Sequence, residues 1–391
     1  MQQLPSRLSS IDVLRAITML LMIFVNDSSG LKLVPVWIDH AKEYEDALGF
    51  ADTIFPAFLF IVGLSLPFAI KNRMKKGDSQ ISILFYILTR SAALLIIGFY
   101  HVNLEEYNSV SAPLPHAVWE LIITFSFFLI WLDYPETMQK AKKNILVGIG
   151  IAALIVMAIL YKGGTPDHPT WMHTSWWGIL GIIGWSYLVC ALAFFIFKGR
   201  LNAMLIVYVI FAGLNIALHS VFKHDSLWVI GDAASVTLTM GGVVISGVYA
   251  YLVEKNRTHR LWTIFTIAGT GLIILGLVLR PYTEGISKIR STPGWVFICS
   301  GITILMFELL IYVVDMKGKK NFFRIISPAG TSTLTCYLLP YIQVSLIELF
   351  GIEYPHIFNY GFTGLLRSMA TAFIIIWIGG LLEKKRLRLK I

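Results

Sequence analysis

Apolar runs close to twenty residues long recur from Ile11 almost to the end of the chain, and that spacing decides what the chain can fold into. A run of this length crosses a hydrocarbon core of ~30 Å as a helix rising 1.5 Å per residue. Inside lipid every backbone N–H and C=O must be bonded within the segment, so a single run takes the helical form. We read twelve such segments, roughly residues 11–27, 50–70, 81–100, 116–132, 144–161, 176–197, 201–221, 230–252, 261–279, 294–315, 325–347 and 361–382. With 56% hydrophobic residues, 14% charged residues and a mean hydropathy of +0.71, little polar surface remains once the short connections are counted. The expectation is an all-α, polytopic integral membrane protein of about 11–12 transmembrane helices, with residues 1–391 forming a single integral membrane domain. No repeat, low-complexity segment or long linker divides it.

The opening residues MQQLPSRLSS carry one Arg and no small-residue cleavage site follows, so Ile11 to Val25 reads as a retained first span. Dividing the 32 Lys and Arg between alternate connections puts 22 on the side of both termini and 7 on the other, with Arg15, Arg90 and Arg367 inside spans. The positive-inside rule then places both termini in the cytoplasm, in a cell (inner) membrane. Topology and anionic lipid headgroups explain the +9 net charge, so membrane lipid is an expected partner and nucleic acid is not. Cys190, Cys299 and Cys336 lie in apolar runs without CxxC or His at ligand spacing, which indicates neither a disulfide frame nor a metal. The outward connections, LKLVPVWIDHAKEYEDALG, HVNLEEYNSVSAPLPHA and KGGTPDHPTWMHTSWWG, are acidic, aromatic and His-rich, as suits a cationic or sugar-like ligand. Interfacial aromatic belts account for many of the same residues.

An ionisable group within a span costs about 2.5–3.5 kcal/mol on insertion scales and therefore faces protein or water. The first span, SIDVLRAITMLLMIFVNDSSG, carries Asp12, Arg15 and Asn26. Arg15 and Asn26 are eleven residues apart; at 100° per residue that is three turns plus about 20°, one face with roughly 16 Å between them. Thr18 and Met22 continue this face, so it reads as the wall of a passage with a cation for phosphate at the inner end and an amide for a carbonyl or hydroxyl at the outer end. Asp12 lies about 60° off the face and pairs with Arg15 at i, i+3. Asn26 and Asp27 also have the composition of a plain helix terminus.

Beyond that span, His40 stands in the first outer connection among Asp39, Glu43, Glu45 and Asp46, and imidazole is the side chain suited to proton transfer near neutrality. His101, His116, His168, His173 and His356 fall on the same side, so chemistry alone does not choose among them. Asp52, in FADTIFPAFLFIVG, either caps the second span or holds a ligand amine. Arg90, deep in the third span, suits a phosphate or an acidic partner, and Arg367 would snorkel or pair with Glu348 or Glu353. ISPAGTSTLTCYLLPY in the eleventh span suits either small-residue packing or close approach to a ligand.

RLSSIDVLRAITMLLMIFVN, a loop His and then FADTIFPAFLFIVGLSLPFAI resemble the opening of the heparan-alpha-glucosaminide N-acetyltransferase family, with its R-x-x-S-x-D-x-x-R, terminal Asn, loop His and A-D-x-x-F-P-x-F-x-F-x-x-G in this order. KIRSTPGWVFICSGITILMFELLIYVVD and ISPAGTSTLTCYLLPY are similar to its later spans. The resemblance implies acetyl transfer from cytosolic acetyl-CoA, across the membrane, to the amine of glucosamine or a terminal α-glucosaminide. It implies His40 as the catalytic His, Asn26 as its partner at the reacting centre, and Arg15 with Asp12 at the inner, donor-binding end. The residues themselves add Arg90 at the donor end and Asp52 and Asp27 near the acceptor, with no metal. Direct transfer and an acetyl-His intermediate both fit, and a homodimer stays open. The chain reads as a compact prokaryotic-type member. The rivals are a transmembrane O-acyltransferase of a surface polysaccharide and a secondary sugar transporter, though no paired halves with matching broken helices support the latter.

Overall fold

The computed structural model describes residues 8–222 and 227–391; Arg7 of the opening motif and Lys223 of the charge count lie outside them. Among the described residues, ten helices are long and apolar enough to cross a membrane, and His116–Trp131 and Thr333–Leu349 are shorter apolar helices. Together these twelve coincide with the expected segments. In order they are α1 (Ser9–Ser28), α2 (Ile54–Lys75), α3 (Gln80–Val102), α4 (His116–Trp131), α5 (Lys140–Leu160), α6 (Gly178–Ile196), α7 (Leu201–Ser220), α8 (Ala234–Glu254), α9 (Leu261–Leu279), α10 (Pro293–Leu310), the short α11 (Ser327–Thr331), α12 (Thr333–Leu349) and α13 (Gly361–Lys384). The one sheet among the described residues is a hairpin, Gly163–Thr165 with His168–Thr170, in the α5–α6 connection.

Burial separates an inner group of helices from an outer one. The apolar windows of α1, α2, α8 and α10 are 61–72% buried, whereas those of α5, α7 and α9 are 17–22% buried and turn their apolar sides outward. Close approach of α2 to α8 depends on glycine: a Cβ on Gly63 would sit 1.8 Å from the Thr239 carbonyl oxygen, and one on Gly242 would sit 2.0 Å from that of Phe60. This is the small-residue packing that helices use where no hydrophobic force drives them together.

Helix α1 runs through the middle, touching α2 and α10 on one side and α11, α12 and α13 on the other. Its first turn has no cap of its own. Asp315, at the end of a π-helical turn that extends α10 (Ile311–Met316), accepts the Ser9 N–H at 2.9 Å and the Ser10 N–H at 3.1 Å. A carboxylate at a helix N-terminus satisfies orphan donors and complements the dipole.

The expected eleventh span is broken at Ser332, between α11 and α12. Gly330 of α11 packs so tightly on α1 that a Cβ would lie 2.3 Å from the Asp12 carbonyl oxygen. The chain end folds back beneath α4: Lys390 N–H donates to the Trp131 carbonyl at 2.8 Å and Leu389 N–H to Thr335 Oγ1 at 2.9 Å.

Candidate active site

At the end of the bundle away from the C-terminal tail, residues 29–50 dock onto the α9–α10 connection. Asp46 accepts Arg280 Nε at 2.7 Å and the Ile286 N–H at 2.7 Å, Ala47 N–H donates to the Ile286 carbonyl at 3.2 Å, and the Glu43 carbonyl accepts Ser287 Oγ at 3.1 Å and Arg290 Nε at 2.9 Å. Burial alone would raise the Asp46 carboxyl, but the bonds from Arg280 and Ile286 outweigh it and hold the group below its ordinary value. His219 and Asn215 of α7 fix the far side of the same connection, reaching the Arg290 carbonyl at 2.8 Å and the Ser291 carbonyl at 3.3 Å.

Docking brings His40 onto Asp52, twelve residues along the chain, with Nδ1 2.6 Å from Oδ1. Asp52 is 1% exposed, and its other oxygen accepts the Ala41 N–H at 3.0 Å and the Gly49 N–H at 3.1 Å. Position 49 must be glycine, since a Cβ would lie 1.9 Å from the Asp39 carbonyl oxygen. Trp295 of α10 donates to the Asp52 carbonyl at 3.0 Å. Asp52 therefore does not cap α2; its carboxylate oxygens are taken up by the His40 ring and two backbone N–H groups. Lys288 Nζ stands 3.4 Å from the same His40 Nδ1; burial holds its ammonium below the usual range, opposed by the Asp52 charge. Nδ1 of a His facing a carboxylate carries the proton, which leaves Nε2 as the basic nitrogen.

Asn26 lies in a different place. It lines a cavity of about 270 Å³ between α1, α4, α12 and α13, together with Met22, Asp27, Glu120, Tyr341 and Gln343. Its amide makes no hydrogen bond among the described residues. Glu120, 4% exposed, accepts from Ser345 Oγ, and His101 stacks on Tyr341 at 4.1 Å with both ring nitrogens unbonded among the described residues. His40 is not among the residues lining this cavity, so the structure does not bring the two expected catalytic residues together directly.

The remaining candidates are bound to protein. Arg15 donates to Asp12 at 3.1 Å, to the Gly330 carbonyl at 2.9 Å and to Ser65 of α2, so it joins α1, α2 and α11. Thr18, on the same face of α1, is buried among protein. Arg90 donates to Tyr86 Oη at 3.2 Å and to the Ile391 carbonyl at 3.1 Å. Arg367 pairs with Asp27 at 3.0 Å, and not with Glu348 or Glu353; Glu348 faces His116 instead, at 3.5 Å. Lys288, which stands beside His40, and Asp315, which accepts from the start of α1, were not singled out from the sequence, although both lie inside the quoted late motif, in KIRSTPGW and YVVD.

Fold and site together define a multi-pass membrane protein with a His–Asp pair at one end and, beside its first helix, a cavity that Asn26, Asp27 and Glu120 help to line. Residues 7–168 match a family described as "Domain of unknown function (DUF5009)". Over 342 residues, 80% of this chain, it is 33% identical to the heparan-alpha-glucosaminide N-acetyltransferase of Mus musculus, and over 166 residues, 42% of this chain, 36% identical to that of Homo sapiens. The chain is a homologue of the heparan-alpha-glucosaminide N-acetyltransferases, as its opening motif implies. The matches span 50% of the mouse protein and 21% of the human one, so the chain covers at most about half the length of these curated relatives.

Proposed function

We propose that the chain is a transmembrane N-acetyltransferase that carries acetyl from cytosolic acetyl-CoA to the amine of glucosamine, or of a terminal α-glucosaminide, on the outer side of a cell membrane. The observation that carries this reading is His40 Nδ1 at 2.6 Å from the buried Asp52 carboxylate. A base must be oriented by a third group to take a proton at a defined atom, and this pair meets that requirement. With Nδ1–H committed to Asp52, Nε2 takes a proton from the acceptor amine as the amine nitrogen bonds to the thioester carbonyl carbon. The C–S bond then breaks, the sulfur leaves as a thiolate, and the proton passes from Nε2 to that sulfur.

Asn26 would orient the acetyl oxygen with its unbonded amide, and Asp27 beside it would meet the sugar. Both termini would be cytoplasmic, which places the donor's nucleotide end near Arg15, with Asp12, and Arg90. Because these arginines clamp helices in this structure, phosphate would have to share or displace those bonds.

His40→Ala in proteoliposomes loaded with acetyl-CoA is expected to abolish acetylation of external glucosamine while folding is retained, and mass spectrometry of the product reads an amide rather than an ester. Wild-type-like turnover by the variant removes His40 from the mechanism.

A further inference from the structure

We propose that Lys288 is a positioning residue for this acyl transfer: its ammonium, held beside His40 by the α9–α10 connection, keeps the imidazole in the neutral form that accepts a proton. The inference rests on His40 being the base.

A buried carboxylate on one edge of an imidazole favours the imidazolium, and a base that is already protonated does no work. Here Lys288 Nζ approaches the same nitrogen, Nδ1, at 3.4 Å. Two N–H-bearing groups cannot bond each other through one occupied position, so with Nδ1–H directed at Asp52 the contact is one of charge. A cation at that range disfavours a second positive charge on the ring without touching Nε2. The centre then holds one carboxylate, one ammonium and a neutral ring.

The backbone on both sides of Lys288 is fixed. Ser287 N–H donates to Thr292 Oγ1 at 3.0 Å, Arg290 N–H donates to Ser287 Oγ at 3.3 Å, and the Arg290 carbonyl receives His219 of α7 at 2.8 Å. Of the charged groups on the packed elements, Asp39 accepts the backbone N–H of His40 itself at 2.8 Å. Asp46 is paired with Arg280, and Arg290 is turned onto the Glu43 carbonyl. Glu45 lies 4.0 Å from Lys42. Asp52 and Lys288 are the charged side chains in contact with the His40 ring, and they oppose each other.

The test is the pH profile of kcat/KM for acetylation by wild type, Lys288→Arg and Lys288→Met in proteoliposomes. The acceptor's own titration is common to all three, so differences between profiles belong to the enzyme. For Lys288→Met the acid limb is expected to move to higher pH by about one unit or more, while the plateau kcat falls no more than a few-fold and KM stays; Lys288→Arg keeps the wild-type limb. A Met variant whose limb coincides with wild type, or one that loses activity equally at every pH, overturns the proposal. If Lys288→Met fails to fold, Lys288→Gln replaces it, and the ring signals of ¹⁵N-histidine-labelled protein follow His40 protonation without turnover. His40→Ala separates the two readings. An active His40→Ala defeats the base assignment, whereas an inactive one beside an unmoved Lys288→Met limb defeats the role of Lys288 alone.

Discussion

The loop that carries His40 and the cavity that holds Asn26 both lie at the same end of α1, yet they are built in opposite ways. Around His40 the polar atoms have protein partners: Asp52 receives three donors, Asp46 receives two, and the Glu43 carbonyl receives Ser287 and Arg290. Around Asn26 the lining carboxylates pair with protein, Glu120 with Ser345 and Asp27 with Arg367, but the exposed Asn26 amide is unbonded and the buried His101 ring leaves both nitrogens bare among the described residues. Buried polar groups are normally satisfied. A saturated network fixes a side chain to within a fraction of an ångström, as acid–base chemistry requires, whereas an unbonded amide and imidazole leave bonds for something that arrives. The first region has the construction of machinery and the second that of a receptacle.

Asp52→Asn breaks this contrast most directly. An amide in place of the carboxylate loses the charge that fixes the His40 tautomer, and kcat is expected to fall about 10²–10⁴-fold with acceptor KM little changed. Turnover within threefold of wild type means that the saturated network orients nothing of use.

Asn26→Ala tests the other side. If the amide holds the acetyl oxygen, kcat falls by about 10²-fold with no loss of thermal stability, because the amide bonds nothing in the resting protein. A variant with full activity and a lowered Tm assigns Asn26 to the end of α1 instead.

A smaller effect is expected at the junction between α1 and α13, where Arg367 covers Asp27 beside the cavity. Arg367→Ala leaves a mostly buried carboxylate without its cation, and a destabilisation of about 1–2 kcal/mol is expected in thermal unfolding. The acceptor KM should rise in the same variant, since Asp27 borders the cavity. An unchanged KM detaches Asp27 from the acceptor.

How much of this was legible in the chain follows from the range of each interaction. The twelve helices follow from run length, because lipid imposes its thickness on each segment separately. The Asp12–Arg15 pair follows from helical phase. The partner of Asp52 does not, since a carboxylate at a helix start looks like a cap until a loop of unforeseen path returns His40 to it. Arg367 went to Asp27 rather than to Glu348 or Glu353 for the same reason: its partner is 340 residues away along the chain and meets it only through packing of α1 on α13. The burial of Thr18 is likewise a property of α1's neighbours. Helical phase shows which residues share a face and leaves open what covers it.

Asp46 is where the sharpest pH signature and the smallest energy coincide. Its carboxylate joins the His40 loop to Arg280 and Ile286, and its pKa is held below the ordinary 3.8, burial opposing and those two bonds prevailing. A depressed carboxyl contributes stability that is fully present above the unfolded-state pKa and is lost as pH falls through the folded one. Wild type is therefore expected to unfold at a slightly higher temperature than Asp46→Asn from pH 7 down to about pH 5. The gap should close as pH drops below 3.8. Because the side chain is 45% exposed, the gap amounts to less than about 1 kcal/mol and shrinks further in high salt. The absence of any gap at pH 7 assigns the docking of the loop to packing and backbone hydrogen bonds such as Ala47 N–H to the Ile286 carbonyl. In that case Asp46→Asn should leave the acid limb of the kcat/KM profile where it was, because Lys288 and Asp52 would still face His40 across an undisturbed loop.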